Sequence, residues 1–171
     1  KYDCVNESRP GVTSEVLTPQ QALEKTQKVL EEYPFIKVVG IAGPGDPLAN
    51  EETFETFKLI KQHFPDVTLC LSTNGLALPA RIQDVLDSGV STLTVTLNAI
   101  DPKIGAKIVD HVNYNGKTYR GVEGASILLE NQLEGIRKAV EAGLVVKINT
   151  VLVPGINEDH IIEIAQKLND M

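Results

Sequence analysis

Ile36-Lys37-Val38-Val39-Gly40-Ile41-Ala42 runs directly into Gly43-Pro44-Gly45-Asp46-Pro47, and this junction decides the fold. The first part is almost continuously apolar and of strand length, and the glycines and prolines behind it stop the strand in a loop. A helix stands on each side. Upstream, Thr18-Pro19-Gln20-Gln21 has a hydroxyl to cap, a proline that suits the first turn and a glutamine able to reach back as in a capping box. Ala22, Leu23, Thr26, Val29, Leu30 and Tyr33 then recur at helical period up to Pro34. Downstream, Asn50 can cap a helix carrying Phe54, Phe57, Ile60 and Phe64.

The unit repeats outward from there. Val67 to Leu71 predicts a strand, Ala80 to Ser88 a helix stopped by Gly89, Thr92 to Leu97 a strand, and Gly124 to Ala142 a helix stopped by Gly143. Leu144 to Leu152 predicts the last strand, and Asn157 caps a last helix. Strands apolar throughout are those covered on both faces, as in a parallel sheet with its crossover helices outside. The class is therefore α/β, with four strands and five or six helices. A complete eight-unit barrel needs ~250 residues, so the 171 residues here predict a partial (β/α) barrel, truncated at both ends, as one domain over 1–171. Asp101 to Glu123 breaks the rhythm and is taken as an insertion: a short helix with Ile104 and Ile108, then a hairpin turning at Asn115-Gly116.

Composition narrows the function. With 42% hydrophobic residues the chain can build one core. No apolar run approaches the ~20 residues that cross a bilayer, and Lys1 to Pro10 holds no apolar stretch, which predicts a cytoplasmic protein without membrane contact. The formal charge of −7 and the scattered basic residues argue against nucleic acid as a partner. Cys4 and Cys70 lie far apart, so they support neither a disulfide framework nor a complete metal site. Cys70, inside an apolar strand, reads as a small buried hydrophobe. His63 and His111 read as solvated, and His160 as a polar residue behind a helix cap.

Parallel sheets of this kind bind ligands at the carboxyl ends of their strands. The four strands end in Gly43-Pro44-Gly45-Asp46-Pro47, Ser72-Thr73-Asn74-Gly75, Asn98-Ala99-Ile100-Asp101, and Asn149 leading to Pro154-Gly155-Ile156-Asn157. That rim offers hydroxyls, amides and bare backbone. It has no His pair, no Ser-His-Asp set and no close carboxylate pair, which argues against acid–base or triad hydrolysis. Each motif alone has a plain reading as well. Gly43 to Pro47 can be a tight turn or the start of a dinucleotide fingerprint that lacks its last glycine at Leu48. Asn74-Gly75 can be a turn, and Asn98 and Asn149 can cap the next element.

Taken together, the wording of these motifs is more specific. Lys1-Tyr2-Asp3-Cys4-Val5-Asn6-Glu7-Ser8-Arg9-Pro10-Gly11-Val12, Gly40 to Asn50, Leu71 to Leu76, Thr96 to Pro102 and Lys147 to Asn157 resemble, in order, motifs of the radical S-adenosylmethionine (SAM) superfamily. Within it they resemble those of the nitrogenase cofactor maturases. The resemblance implies a SAM pocket in which Gly43, Gly45 and Asp46 lie near the amino-acid end, Ser72 and Asn74 along methionine and ribose, Asn98 beside the ribose, and Asn149 with Val153 near the adenine. It implies [4Fe–4S] clusters as cofactor and substrate, with Cys4 ligating a substrate cluster and Glu7 supplying a weaker contact. It also implies a cluster-carrier protein as partner. The activity implied is methyl transfer from one SAM and hydrogen abstraction by a second, inserting a carbide while two [4Fe–4S] clusters fuse into an [8Fe–9S–C] precursor. The CxxxCxxC cysteines of the family would precede Lys1, so residues 1–171 alone are expected to be inactive. A radical SAM enzyme of another substrate class, such as a GTP cyclase, would share the rim but lack the Tyr2 to Glu7 segment, and a non-catalytic cluster scaffold would share the fold without binding SAM.

Overall fold

Thr18 accepts the Gln21 backbone N–H at 3.3 Å while the Gln21 side chain accepts the Thr18 N–H at 2.8 Å. This reciprocal cap starts α1, Pro19–Glu32. The computed structural model describes residues 16–43 and 45–169. After α1 come β1 (Val38–Ile41), a 3-10 turn (Pro47–Ala49), α2 (Glu51–His63), β2 (Thr68–Thr73), α3 (Leu78–Asp87), β3 (Thr92–Thr96) and α4 (Pro102–Ile108). The hairpin β4 (His111–Tyr114) and β5 (Lys117–Arg120), α5 (Gly121–Glu141), β6 (Val145–Asn149), a 3-10 turn (Glu158–His160) and α6 (Ile161–Asn169) complete the order.

Strands β1, β2, β3 and β6 form one parallel sheet in that order, as expected for a partial barrel. Their side chains divide by face. Leu69, Leu71, Leu93 and Val95 are fully buried in a core with Phe54, Phe57, Ile60, Val85 and Ile136 of the helices. The alternate residues form rows across the other face: Gly40, Cys70, Thr92 and Val145, then Ser72, Thr94 and Lys147, then Thr96 and Asn149. In β2 and β3 these residues are only half-buried. The expectation of strands apolar on both faces is thus corrected. Threonine satisfies β-propensity without being apolar, so the helix-facing residues alone carry the hydrophobic signal. Cys70 is corrected with it: the thiol is free and half-buried on the polar face, not a core plug.

Asn115 and Gly116 both take positive φ, 49° and 76°, the geometry of a tight two-residue hairpin turn. The hairpin and α4 both pack on α5. A helix of 21 residues is about 31 Å long, roughly twice the length of a five-residue strand. The first turns of α5 therefore rise past the strand ends, and with α4 and the hairpin they wall the carboxyl rim. Among the described residues no helix is long and apolar enough to cross a membrane.

The end of β6 differs from expectation. The strand stops at Asn149, not Leu152, because side chains take over from the backbone ladder. Thr150 Oγ1 donates to Leu97 O at 2.7 Å and Asn98 Oδ1 accepts the Val151 N–H at 2.9 Å. Asn157 likewise makes no side-chain cap. It is fully buried, and its amide is spent elsewhere.

Candidate functional site

Asp46 fastens the end of β1 to the end of β2. Its carboxylate accepts the Thr73 hydroxyl at 2.8 and 2.9 Å, the Asn74 N–H at 2.6 Å and the Leu48 N–H at 3.0 Å. The same carboxylate thereby caps the 3-10 turn at Pro47.

Beyond Thr73 the chain turns sharply. Thr73 Oγ1 accepts the Gly75 N–H at 3.0 Å, and Asn74 Oδ1 accepts the Leu76 N–H at 2.8 Å, so the oxygen of Asn74 holds its own turn, as the plain reading of Asn74-Gly75 anticipated. Gly75 has φ +84°, and a Cβ there would lie 2.9 Å from Gln132 Cγ. The space a side chain would need is filled by Gln132, whose Nε2 donates to Asn74 O at 2.7 Å and to Thr96 O at 2.9 Å. One amide on α5 thus sets the spacing between the tips of β2 and β3.

Behind β3 and β6 a second amide does the same. Asn157 Nδ2 donates to Asn98 O and Val151 O, both at 2.9 Å, and Asn157 Oδ1 accepts the Val153 N–H at 2.7 Å. His160 is buried too, contrary to its reading as a cap-side polar residue. Its Nε2 accepts the Ile100 N–H at 3.1 Å, and Nδ1 lies 2.9 Å from Glu163 Oε2. This pattern assigns a neutral ring with its proton on Nδ1. Asn157 and His160 thus tie the loop after β3 to the segment after β6. Asn98 divides its side chain: its oxygen holds Val151, and its NH2 is bound to nothing among the described residues.

A cavity of about 440 Å³ opens between these tips and the wall of α4 and α5. It brings together Asn74, Asn98 and Asn149 of the sequence-predicted residues, with Thr96 and Gln132 beside them. Gly43, Gly45, Asp46, Ser72 and Val153 do not line it. Ser72 stands one row deeper on the polar face, Gly43, Gly45 and Asp46 follow the tip of β1, and the backbone N–H and C=O of Val153 are both used within its own turn. Cys4 and Glu7 lie outside the described residues.

The remaining walls, among them Ala99, Ile108, Val109, Ala125, Leu128 and Val151, are apolar, and no charged side chain lines the cavity. Such a site recognises its ligand by amide hydrogen bonds and shape. The amides and apolar walls fit the nucleoside of SAM. An iron–sulfur cluster does not fit the described residues, where no three His, Cys, Asp or Glu side chains converge. At the outer edge of the rim, Arg81 stacks 4.6 Å from the Phe54 ring centre and pairs with Glu51 at 2.6 and 2.8 Å, holding the Glu51 carboxyl below its ordinary range. Sequence reading passed over Gln132, although a lone polar residue in the stripe that α5 buries was a visible signal.

Residues 4–168 match the radical SAM superfamily. The chain is 54% identical to the FeMo cofactor biosynthesis protein NifB of Methanocaldococcus infernus, over 96% of this chain and 54% of that protein. It is 50% identical to NifB of Klebsiella pneumoniae over 98% of this chain and 36% of that protein, and 47% identical to NifB of Chlorobaculum tepidum over 100% and 41%. The chain therefore spans about half the length, or less, of these curated relatives.

Proposed function

The chain belongs to the radical SAM superfamily, and on that premise we propose that it forms the SAM-binding rim of a cytoplasmic enzyme of nitrogenase FeMo cofactor biosynthesis. The observation that carries this reading is the convergence of Asn74, Asn98 and Asn149 from three strand ends on one apolar-walled cavity, in a chain about 50% identical to several NifB proteins. SAM bound at this rim would supply the chemistry of methyl transfer and hydrogen abstraction. The Asn98 NH2 and the Asn149 amide orient the ribose and adenine, and the apolar wall of α4 and α5 keeps water from them. Ser72 and Asn74 flank the methionine and ribose. Gly43, Gly45 and Asp46 form the tip that meets the amino-acid end, and Val153 packs toward the adenine.

The substrate we assign is a pair of [4Fe–4S] clusters, fused around a carbide derived from a SAM methyl group to an [8Fe–9S–C] precursor whose ninth sulfur comes from a separate inorganic sulfur donor, with Cys4 and Glu7 contacting one of the clusters and a carrier protein taking the product. Residues 1–171 act as one radical SAM core domain with an insertion at 101–123, and they are inactive alone, because two cysteines cannot supply three thiolates. The test is isotopic. Full-length protein given SAM carrying a 13C methyl group should place the label inside the product cluster, and a cluster product without label would refute the carbide chemistry.

A further inference from the structure

Gln132 is 4% exposed, and it is the only polar residue among those α5 buries. Two backbone carbonyls, one just past the end of β2 and one on the last residue of β3, fix which way its amide faces. Carbonyls accept only, so both must be met by Nε2, whose two N–H donors are thereby used up. Oε1 is left on a residue that lines the 440 Å³ cavity, and it accepts from no protein group among the described residues. Among the described residues the only fully buried side-chain nitrogen or oxygen without a hydrogen-bond partner is Arg81 Nε, so Oε1 keeps some open surface at the cavity, where an acceptor unused by the protein can take a ligand's donor.

The cavity limits what that ligand group can be. Its walls are apolar and none of its lining side chains is charged, which suits a flat base and sugar better than a zwitterionic amino-acid end. We infer that Gln132 Oε1 accepts a hydrogen bond from the nucleoside part of bound SAM, from the exocyclic amine of the base or a ribose hydroxyl, and so makes Gln132 a specificity-determining residue. This inference rests on the SAM-binding reading above. It also explains why the bridge across Asn74 and Thr96 is made by an amide: Nε2 holds the strand tips and Oε1 reads the ligand that sits between them.

Anaerobic full-length protein is titrated with S-adenosylhomocysteine, which cannot react, and with its inosine, 2′-deoxy and 3′-deoxy analogues. The expected result is that at least one analogue binds about tenfold or more weakly than S-adenosylhomocysteine. In Gln132→Met, which has similar volume and no amide, that gap should shrink to about twofold. Loss of the gap for the inosine analogue identifies the amine as donor, and loss for a deoxy analogue identifies the hydroxyl. Thermal unfolding is followed in parallel, and if Gln132→Met does not fold, Gln132→Asn, which withdraws the same amide by one methylene, must narrow the gap instead. Equal binding of all analogues by the wild type overturns the inference, as does a gap that survives substitution. If S-adenosylhomocysteine does not bind the wild type at all, the SAM reading itself falls, and this inference with it.

Discussion

The carboxylate of Asp46, one residue ahead of the Pro47 turn, takes the hydroxyl of Thr73, the last residue of β2, on both of its oxygens at 2.8 and 2.9 Å. This clasp fixes the tip of β1 against the tip of β2, where we propose that the amino-acid end of SAM binds. Asp46→Asn should cost about 1–2 kcal/mol of folding stability, as should Thr73→Val. The double variant should cost clearly less than the sum, because both remove one interaction. Urea unfolding of the four proteins checks this, and strict additivity would show that the two residues act separately.

The oxygen of Asn98 holds the Val151 N–H and its NH2 is proposed to meet SAM, so different substitutions separate the two roles. Asn98→Asp keeps an oxygen for the Val151 N–H and loses the NH2, so it should keep its unfolding midpoint and weaken SAM binding by about 1–3 kcal/mol. Asn98→Ala should lose both. Calorimetric titration with thermal unfolding distinguishes them, and full affinity in Asn98→Asp would leave the side chain a structural role only.

What was legible in the sequence depended on distance along the chain. The Thr18–Gln21 cap and the Asn115-Gly116 turn were readable because each is complete within a few residues. The order of strands and helices was readable because their periodicities are local too. The amides that shape the cavity were not. Gln132 meets Asn74 from 58 residues away, Asn157 meets Asn98 from 59, and His160 meets Ile100 from 60. A sequence shows such residues only as polar intruders near apolar stretches. The polar face of the sheet was hidden for another reason: Thr92, Thr94 and Thr96 read as strand formers, and only the register shows them turned away from the core.

The Glu51–Arg81 pair gives a pH signature. The Arg81 hydrogen bond lowers the Glu51 pKa in the folded protein, so its stabilisation is present above the ordinary carboxylate value, about 4, and is lost as pH falls through the lower folded value. Wild type should therefore be more stable than Glu51→Gln at pH 7, and the difference should vanish on acidification. A difference that is constant with pH would mean the ion pair contributes nothing.

Cys4 and Glu7 belong to the substrate side of the account. In full-length protein Cys4→Ala should lower iron content by about one cluster and abolish the carbide product while reductive SAM cleavage persists. Glu7→Ala should bind iron and convert it poorly. Iron analysis with product assays decides this, and normal yield from Cys4→Ala would make the thiol a bystander.

The central claim is that this rim holds SAM beside a redox-active cluster. It is tested most directly by electron paramagnetic resonance of the anaerobically purified, reduced full-length protein with and without SAM. The account predicts an iron–sulfur signal whose shape changes when SAM is added. A signal indifferent to saturating SAM, or no iron–sulfur signal at all, would contradict it.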